Sequence, residues 1–159
     1  MKIVAKQEVA RIVQVLKAAG KKIVFTNGCF DILHVGHVRY LAAARQLGDI
    51  LIVGLNSDES VRALKGPSRP INTAADRAEV LAALAVVDYV VIFDELTAAN
   101  LIETIKPAVY VKGGDYKLED IPEAPAVVAY GGQVVIIPAV PGRSTSNVIN
   151  KIGATNCEC

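Results

Sequence analysis

The chain predicts an α/β fold: one domain built on a doubly wound, five-stranded parallel sheet with helices on both faces. Two observations carry this. Five short runs rich in β-branched residues are almost continuously apolar, as strands buried on both faces must be, and helical patterns separate them, the alternation that makes a parallel sheet. The helical repeat Val9, Ile12, Val13, Leu16 comes first and is closed by Gly20. The strands follow as KIVFTN (22–27), ILIVGLN (50–56), YVVIF (89–93), VYVKG (109–113) and VVIIP (134–138). Helices are expected near 35–47, 73–85, 97–105, 123–130 and 145–152. Thr73 followed by Asp76 resembles a capping box, and Gly48 and Gly131 stand where helices should stop. Residues 57–72 read as the longest irregular connection, and a long loop in a small domain tends to carry function. The domain is expected to span 1–152, with 153–159 as a flexible tail.

Composition narrows the function. A net charge of +1 provides no global field for nucleic acid or an anionic membrane, so any anion site must be local. The opening residues lack the apolar block of a secretory signal, because Lys6, Glu8 and Arg11 interrupt it. Asp88 breaks the most apolar run, so no membrane span is expected. The three cysteines, Cys29, Cys157 and Cys159, are odd in number and follow no disulfide framework. These features point to a cytoplasmic protein with reduced thiols.

Both histidines of the chain fall within TNGCFDILHVGH, residues 26–37, at the end of the first of these strands. Ligands of open parallel sheets bind beyond the carboxyl ends of strands. A helix starting near Val35 would put His34 and His37 in its first turn, where unpaired N–H groups and the dipole favour an anion. Gly36, without a Cβ, lets a backbone or phosphate come close. The pattern therefore reads as a phosphoryl-stabilising site. A zinc site completed by Cys29 or the tail cysteines is the weaker alternative, since C-x-x-C spacing is missing. Cys29 itself reads as small buried filler. Neither G-x-x-x-x-G-K-[ST] nor G-x-G-x-x-G occurs, which removes support for P-loop hydrolysis and dinucleotide redox chemistry.

The same stretch resembles the G-x-F-D-x-x-H-x-G-H signature of the cytidylyltransferase-like nucleotidyltransferase superfamily, whose fold is Rossmann-like. RSTSNVI, residues 143–149, loosely resembles that group's second signature, I-S-[ST]-T-x-x-[IR], with Arg143 where isoleucine often stands. Three segments, RPINTAADRAEVLAAL, VVIFDELT and VYVKGGDY, are similar to those of the heptose 1-phosphate adenylyltransferases of lipopolysaccharide inner-core synthesis. The likeness covers about residues 9–152 and resembles the form without a fused sugar kinase domain.

What the resemblance implies is direct attack of a phosphorylated acceptor on the α-phosphorus of a nucleoside triphosphate, with release of pyrophosphate. It implies ATP and a sugar 1-phosphate as substrates, Mg2+ bound mainly through the triphosphate rather than by protein side chains, and a homo-oligomer, dimer or tetramer. His34, His37 and Lys65 become the expected catalytic groups. Thr26, Asn27, Gly28 and Phe30 would floor the site, with Gly36 beside them. Ser144, Thr145 and Ser146 would cap the last helix while their N–H groups receive phosphates. For the acceptor the resemblance points to Asp31, Arg77, Lys112, Gly113 and Asp115. Lys65, in LKGP, is expected on a rigid turn; Arg62 reads as a solvated surface cation, Arg77 equally as an exposed helical one, and Asp115 as a possible turn former. Cytidylyl transfer to glycerol phosphate or an aminoalcohol phosphate, and a silent nucleotide-binding module, are the competing readings.

Overall fold

The computed structural model describes residues 2–155. In chain order the elements are β1 (Ile3–Val4), α1 (Lys6–Ala18), β2 (Ile23–Gly28), α2 (Val35–Arg45), β3 (Ile50–Asn56), α3 (Asp58–Lys65), α4 (Ala74–Ala83), β4 (Tyr89–Phe93), α5 (Ala99–Ile105), β5 (Val109–Gly113), α6 (Ala124–Ala129), β6 (Gln133–Ile137) and α7 (Thr145–Thr155), with a 3-10 turn at Leu118–Asp120. The strands lie in the order β1-β4-β3-β2-β5-β6, and every pairing is parallel.

Alternation along each strand feeds two cores. Phe25 and Tyr110 face Val9 and Val13 of α1, Leu101, Ile102 and Ile105 of α5 and Val127 of α6. Val24, Val109 and Val111 face Leu41 and Ala44 of α2 with Ala78 and Leu81 of α4. Helices thus cover both faces, as expected of nearly continuous apolar strands. Each fully buried leucine, such as Leu41 or Leu81, stabilises the fold by about 2–5 kcal/mol against alanine.

Three sequence expectations need correction. Six strands form the described sheet rather than five, because Ile3 and Val4 pair with Val90 and Val91 at the edge. Two residues ahead of a helix leave no periodic trace. The segment 57–72 is not wholly irregular: Ser57 accepts from the Ser60 N–H to cap α3, Asp58 and Glu59 complement the N-terminal dipole, and Arg62 and Lys65 the C-terminal one. Only Val61 of that helix is a buried apolar residue, so its apolar period was too thin to read. The helix ends against Gly66, whose φ of 99° suits glycine; Lys65 therefore rides a helix terminus, not a rigid turn. Finally, α7 continues to Thr155, past the expected start of the tail at 153, while Cys157 and Cys159 lie outside the described residues.

The caps follow the sequence more closely. Thr73 accepts from the Asp76 N–H and donates its hydroxyl to the Asp76 carboxylate. Gly131 follows α6 at φ 84°. Gly48 does different work: a Cβ there would come within 2.7 Å of the Lys22 carbonyl, so the requirement is close approach, not helix termination.

One side chain joins these elements. Arg77 of α4 is 2% exposed. It donates to the carbonyls of Asn72, Cys29 and Asn56 and pairs with the Asp58 carboxylate at 2.8 Å. The guanidinium thereby fastens the loop after β2, the end of β3 and the start of α3 to one point, using the fork that distinguishes arginine from lysine. The expectation that Arg77 contacts an acceptor, or is simply exposed, is corrected: its donors are turned inward. Removing it strands buried carbonyls and a carboxylate, so Arg77→Ala is expected to cost about 3–5 kcal/mol in urea denaturation, with Arg77→Lys recovering only part of the loss.

Candidate active site

β3 and β4 extend the sheet on one side of β2, whereas β5 and β6 extend it on the other. The chain reverses its direction of growth at the β2–β5 seam, and this is where an open parallel sheet gapes at its carboxyl edge. A cavity of about 650 Å³ lies there. It brings together Asn27, Gly28, Phe30, Asp31, His34 and His37 from the end of β2 and the start of α2. Lys65 enters from α3, Lys112 and Gly113 from β5, and Ser144, Thr145 and Ser146 from the start of α7.

His34 is the N-cap of α2: its Nδ1 accepts from the Gly36 N–H at 3.1 Å. That bond leaves the ring proton on Nε2, as a donor. The His37 ring stacks on His34 with centroids 3.9 Å apart, and Phe30 meets His37 edge-on at 5.4 Å. Gly36 is required by this arrangement, since a Cβ would come within 2.8 Å of the His34 ring. Phe30 has φ of 43°, a left-handed conformation that a bulky residue adopts at a cost. Its buried ring, against His37 and above Gly28, holds it there.

Electrostatics keep both imidazoles neutral in the free protein. Burial, then the adjacent Arg143 cation, lowers the pKa of His34. Burial, then His34, lowers that of His37 to about 4. The His37 Nδ1 is buried with no hydrogen-bond partner among the described residues. Two rings poised to donate, with cations nearby, suit an anion that would draw their pKa values upward.

Several expected residues stand differently. Thr26 is fully buried below the cavity, its hydroxyl 2.5 Å from that of Tyr40. The expectation that it contacts nucleotide is corrected: it positions Tyr40, which also donates to the Val111 carbonyl. Asp31 borders the cavity, but Arg69 and the backbone N–H groups of Ile71 and Asn72 occupy its carboxylate. Burial opposes its charge, yet these bonds outweigh burial and hold it below the usual carboxylate range. Asp31 therefore braces the loop after α3. Asp115 is exposed and outside the cavity lining. Gly113 lines the cavity and also admits the Tyr40 ring, which would lie 2.9 Å from a Cβ. Lys112 reaches over the Tyr116 ring at 5.9 Å. Ser144 accepts from the Asn147 N–H, and Thr145 bonds the Ile32 carbonyl, so α7 abuts the loop that carries the histidines.

Sequence reasoning missed other members. Cys29 is half-buried and lines the cavity rather than filling the core. Burial raises its thiol pKa against the opposing pull of Lys65, Arg77 and Arg69. Glu123, in IPEAP, borders the cavity although only 3% exposed; no motif or period marks it. Among the described residues no group of three or more His, Cys, Asp or Glu could hold a metal ion. No described helix is long and apolar enough to cross a membrane.

The histidine environment sets a pH response. Between about 6.5 and about 4 the unfolded chain binds a proton that folded His37 does not, so stability falls as pH falls through this window. NMR titration should find His37 changing charge near pH 4 in free protein and higher with pyrophosphate bound, and His37→Gln should flatten the stability loss.

Comparison with known proteins follows this geometry. The chain is 60% identical over 143 residues to bifunctional protein HldE of Geobacter metallireducens, covering 90% of this chain and 29% of that one. It is 53% identical over 151 residues to bifunctional protein HldE of Syntrophotalea carbinolica, covering 95% of this chain and 31% of that one. It therefore spans about a third or less of the curated relatives it matches. The crystal structure of the lipopolysaccharide core biosynthesis protein from Thermoplasma volcanium is 30% identical with a TM-score of 0.63, covering 76% of this chain and 98% of that one. Pantothenate synthetase from Thermus thermophilus, 19% identical with a TM-score of 0.63 and covering 93% of this chain and 67% of that one, shares the fold. Residues 25–151 match the cytidylyltransferase-like family model, and the chain belongs to the cytidylyltransferase-like family.

Proposed function

We propose that this chain transfers the adenylyl group of ATP to D-glycero-β-D-manno-heptose 1-phosphate, yielding ADP-heptose and pyrophosphate for lipopolysaccharide inner-core synthesis. The observation that carries the chemistry is the stacked His34–His37 pair at the start of α2, with α7 abutting its loop and Lys65 and Lys112 on the same cavity. The heptose acceptor is supported by the similarity of the segments ending in VYVKGGDY and by the relatives named HldE.

An oxygen of the sugar phosphate attacks the α-phosphorus; a new P–O bond forms there as the bond to the bridging oxygen of pyrophosphate breaks. No nucleophile from the chain is needed, so its task is positioning and stabilisation of developing charge. The His34 and His37 donors meet the phosphates, which raise their pKa values and let protonated rings offset the added charge. N–H groups at Ser144, Thr145 and Ser146 receive the terminal phosphates. Lys65 serves the transferring phosphoryl group and Lys112 the acceptor phosphate. Asn27, Gly28 and Phe30 form the floor. Mg2+, when bound, would offset triphosphate charge; with Asp31 engaged by Arg69 and the Asn72 N–H, phosphate oxygens would be its chief ligands. A cytoplasmic homo-oligomer is the accompanying expectation, checked by sedimentation of the purified protein.

The decisive assay is pyrophosphate release with ATP or CTP against heptose 1-phosphate, glycerol 3-phosphate and phosphocholine. Release confined to ATP with the heptose phosphate is the expected result. Another productive pair would replace the substrate, and no release with any pair would favour a binding module. His37→Ala should lower kcat by roughly 100-fold or more while weakening ATP binding less, the signature of a contact that strengthens in the transition state.

A further inference from the structure

The carboxylate of Glu123 stands on the opposite side of the sheet from the imidazoles. Its neighbours Ala98, Tyr110 and Ala124 belong to the core under α1, α5 and α6, whereas Phe30, which touches His37, belongs to the core under α2 and α4. The cavity therefore wraps over the carboxyl edge of the sheet, with phosphate-binding groups on one flank and Glu123 on the other.

Glu123 is only half engaged. Its Oε1 accepts from the Ala98 N–H at 3.3 Å, while Oε2 is buried with no hydrogen-bond partner among the described residues. It makes no ion pair among the described residues. Tyr110 stands within hydrogen-bonding reach of it, its ionisation suppressed first by burial, then by the Glu123 charge and by the contact with that carboxylate. The one proton of that phenol goes elsewhere, to the Asn27 Oδ1 at 2.7 Å. An acceptor left unmatched in this way is costly, and proteins seldom keep one without a use. The same bond commits the Asn27 carbonyl oxygen and leaves its NH2 as a donor on the cavity wall.

A carboxylate repels phosphate, so this flank suits the uncharged part of a substrate. A hydroxyl matches it: the oxygen accepts from an amide NH2 while its proton goes to a carboxylate. We propose that Glu123 is a specificity-determining residue that accepts a hydrogen bond from a hydroxyl of the acceptor sugar, with the Asn27 amide as the matching donor. This rests on the reading that the acceptor is a sugar phosphate.

Glu123→Gln tests it. With the glutamine oxygen retained by the Ala98 N–H, its NH2 would replace Oε2, turning an acceptor into a donor. In pyrophosphate-release assays the variant should raise KM for the sugar phosphate by roughly 10- to 100-fold, the range for a hydrogen bond to a charged group, with KM for ATP within about twofold. Wild-type enzyme assayed with singly deoxygenated sugar phosphates should lose a similar factor at one hydroxyl, and Glu123→Gln should not discriminate against that analogue. An unchanged acceptor KM in the variant, a fall in melting temperature with both substrates affected alike, or no penalty for any deoxy analogue would each overturn the assignment while leaving adenylyl transfer intact. Wild-type protein that turns over no sugar phosphate would remove the functional reading and this inference together.

Discussion

The site depends on one buried cation. Arg77 gathers carbonyls from the loop after β2, from the end of β3 and from its own helix entry, and pairs with Asp58 at the start of α3. Loops at the carboxyl edge of a parallel sheet have no ladder of their own, so something must satisfy their polar groups and hold them in register. A guanidinium with five donors can do this from a single point. Asp31 performs the complementary task with the opposite charge, accepting from Arg69 and from two backbone N–H groups of the loop after α3. Together these residues convert flexible connections into a frame around the histidines.

Within that frame several groups are held against their local preference. Phe30 carries a left-handed backbone, His37 is kept neutral well below its ordinary pKa, and Glu123 retains an oxygen without a donor among the described residues. Each costs stability in the free protein, His37 only as pH falls below about 6.5, and the two large apolar cores offset it. A bound anion would draw the histidine pKa values upward. Local rules broken together around one cavity are the mark of a functional site in an otherwise consistent fold.

Glycine has a related use here. At Gly36 and Gly113 the missing Cβ makes space for the aromatic rings of His34 and Tyr40. Tyr40 then bridges Thr26 on β2 and the Val111 carbonyl on β5, spanning the seam at which the site opens. The motif glycines thus shape the protein's own rings before any ligand arrives.

The strand runs, the intervening helical periods and the paired histidines after the β2 strand were legible in the residues alone. Each is a local signal: a buried strand must be apolar throughout, a helix face repeats every 3.6 residues, and the H-x-G-H spacing sets two rings on one helix turn. Nothing local could reveal the two-residue strand β1, whose existence depends on β4 beside it, or α3, whose single buried apolar residue makes no period. The framing roles of Thr26, Asp31 and Arg77 were illegible for the same reason, since whether a polar group serves a ligand or the frame is decided by which partners the fold brings within reach. Glu123 carried no sequence signal whatever. Its interest arises only because the sheet's reversal at β2 and β5 lets one cavity run across both faces, where burial leaves a carboxylate oxygen with nothing to accept from the described residues.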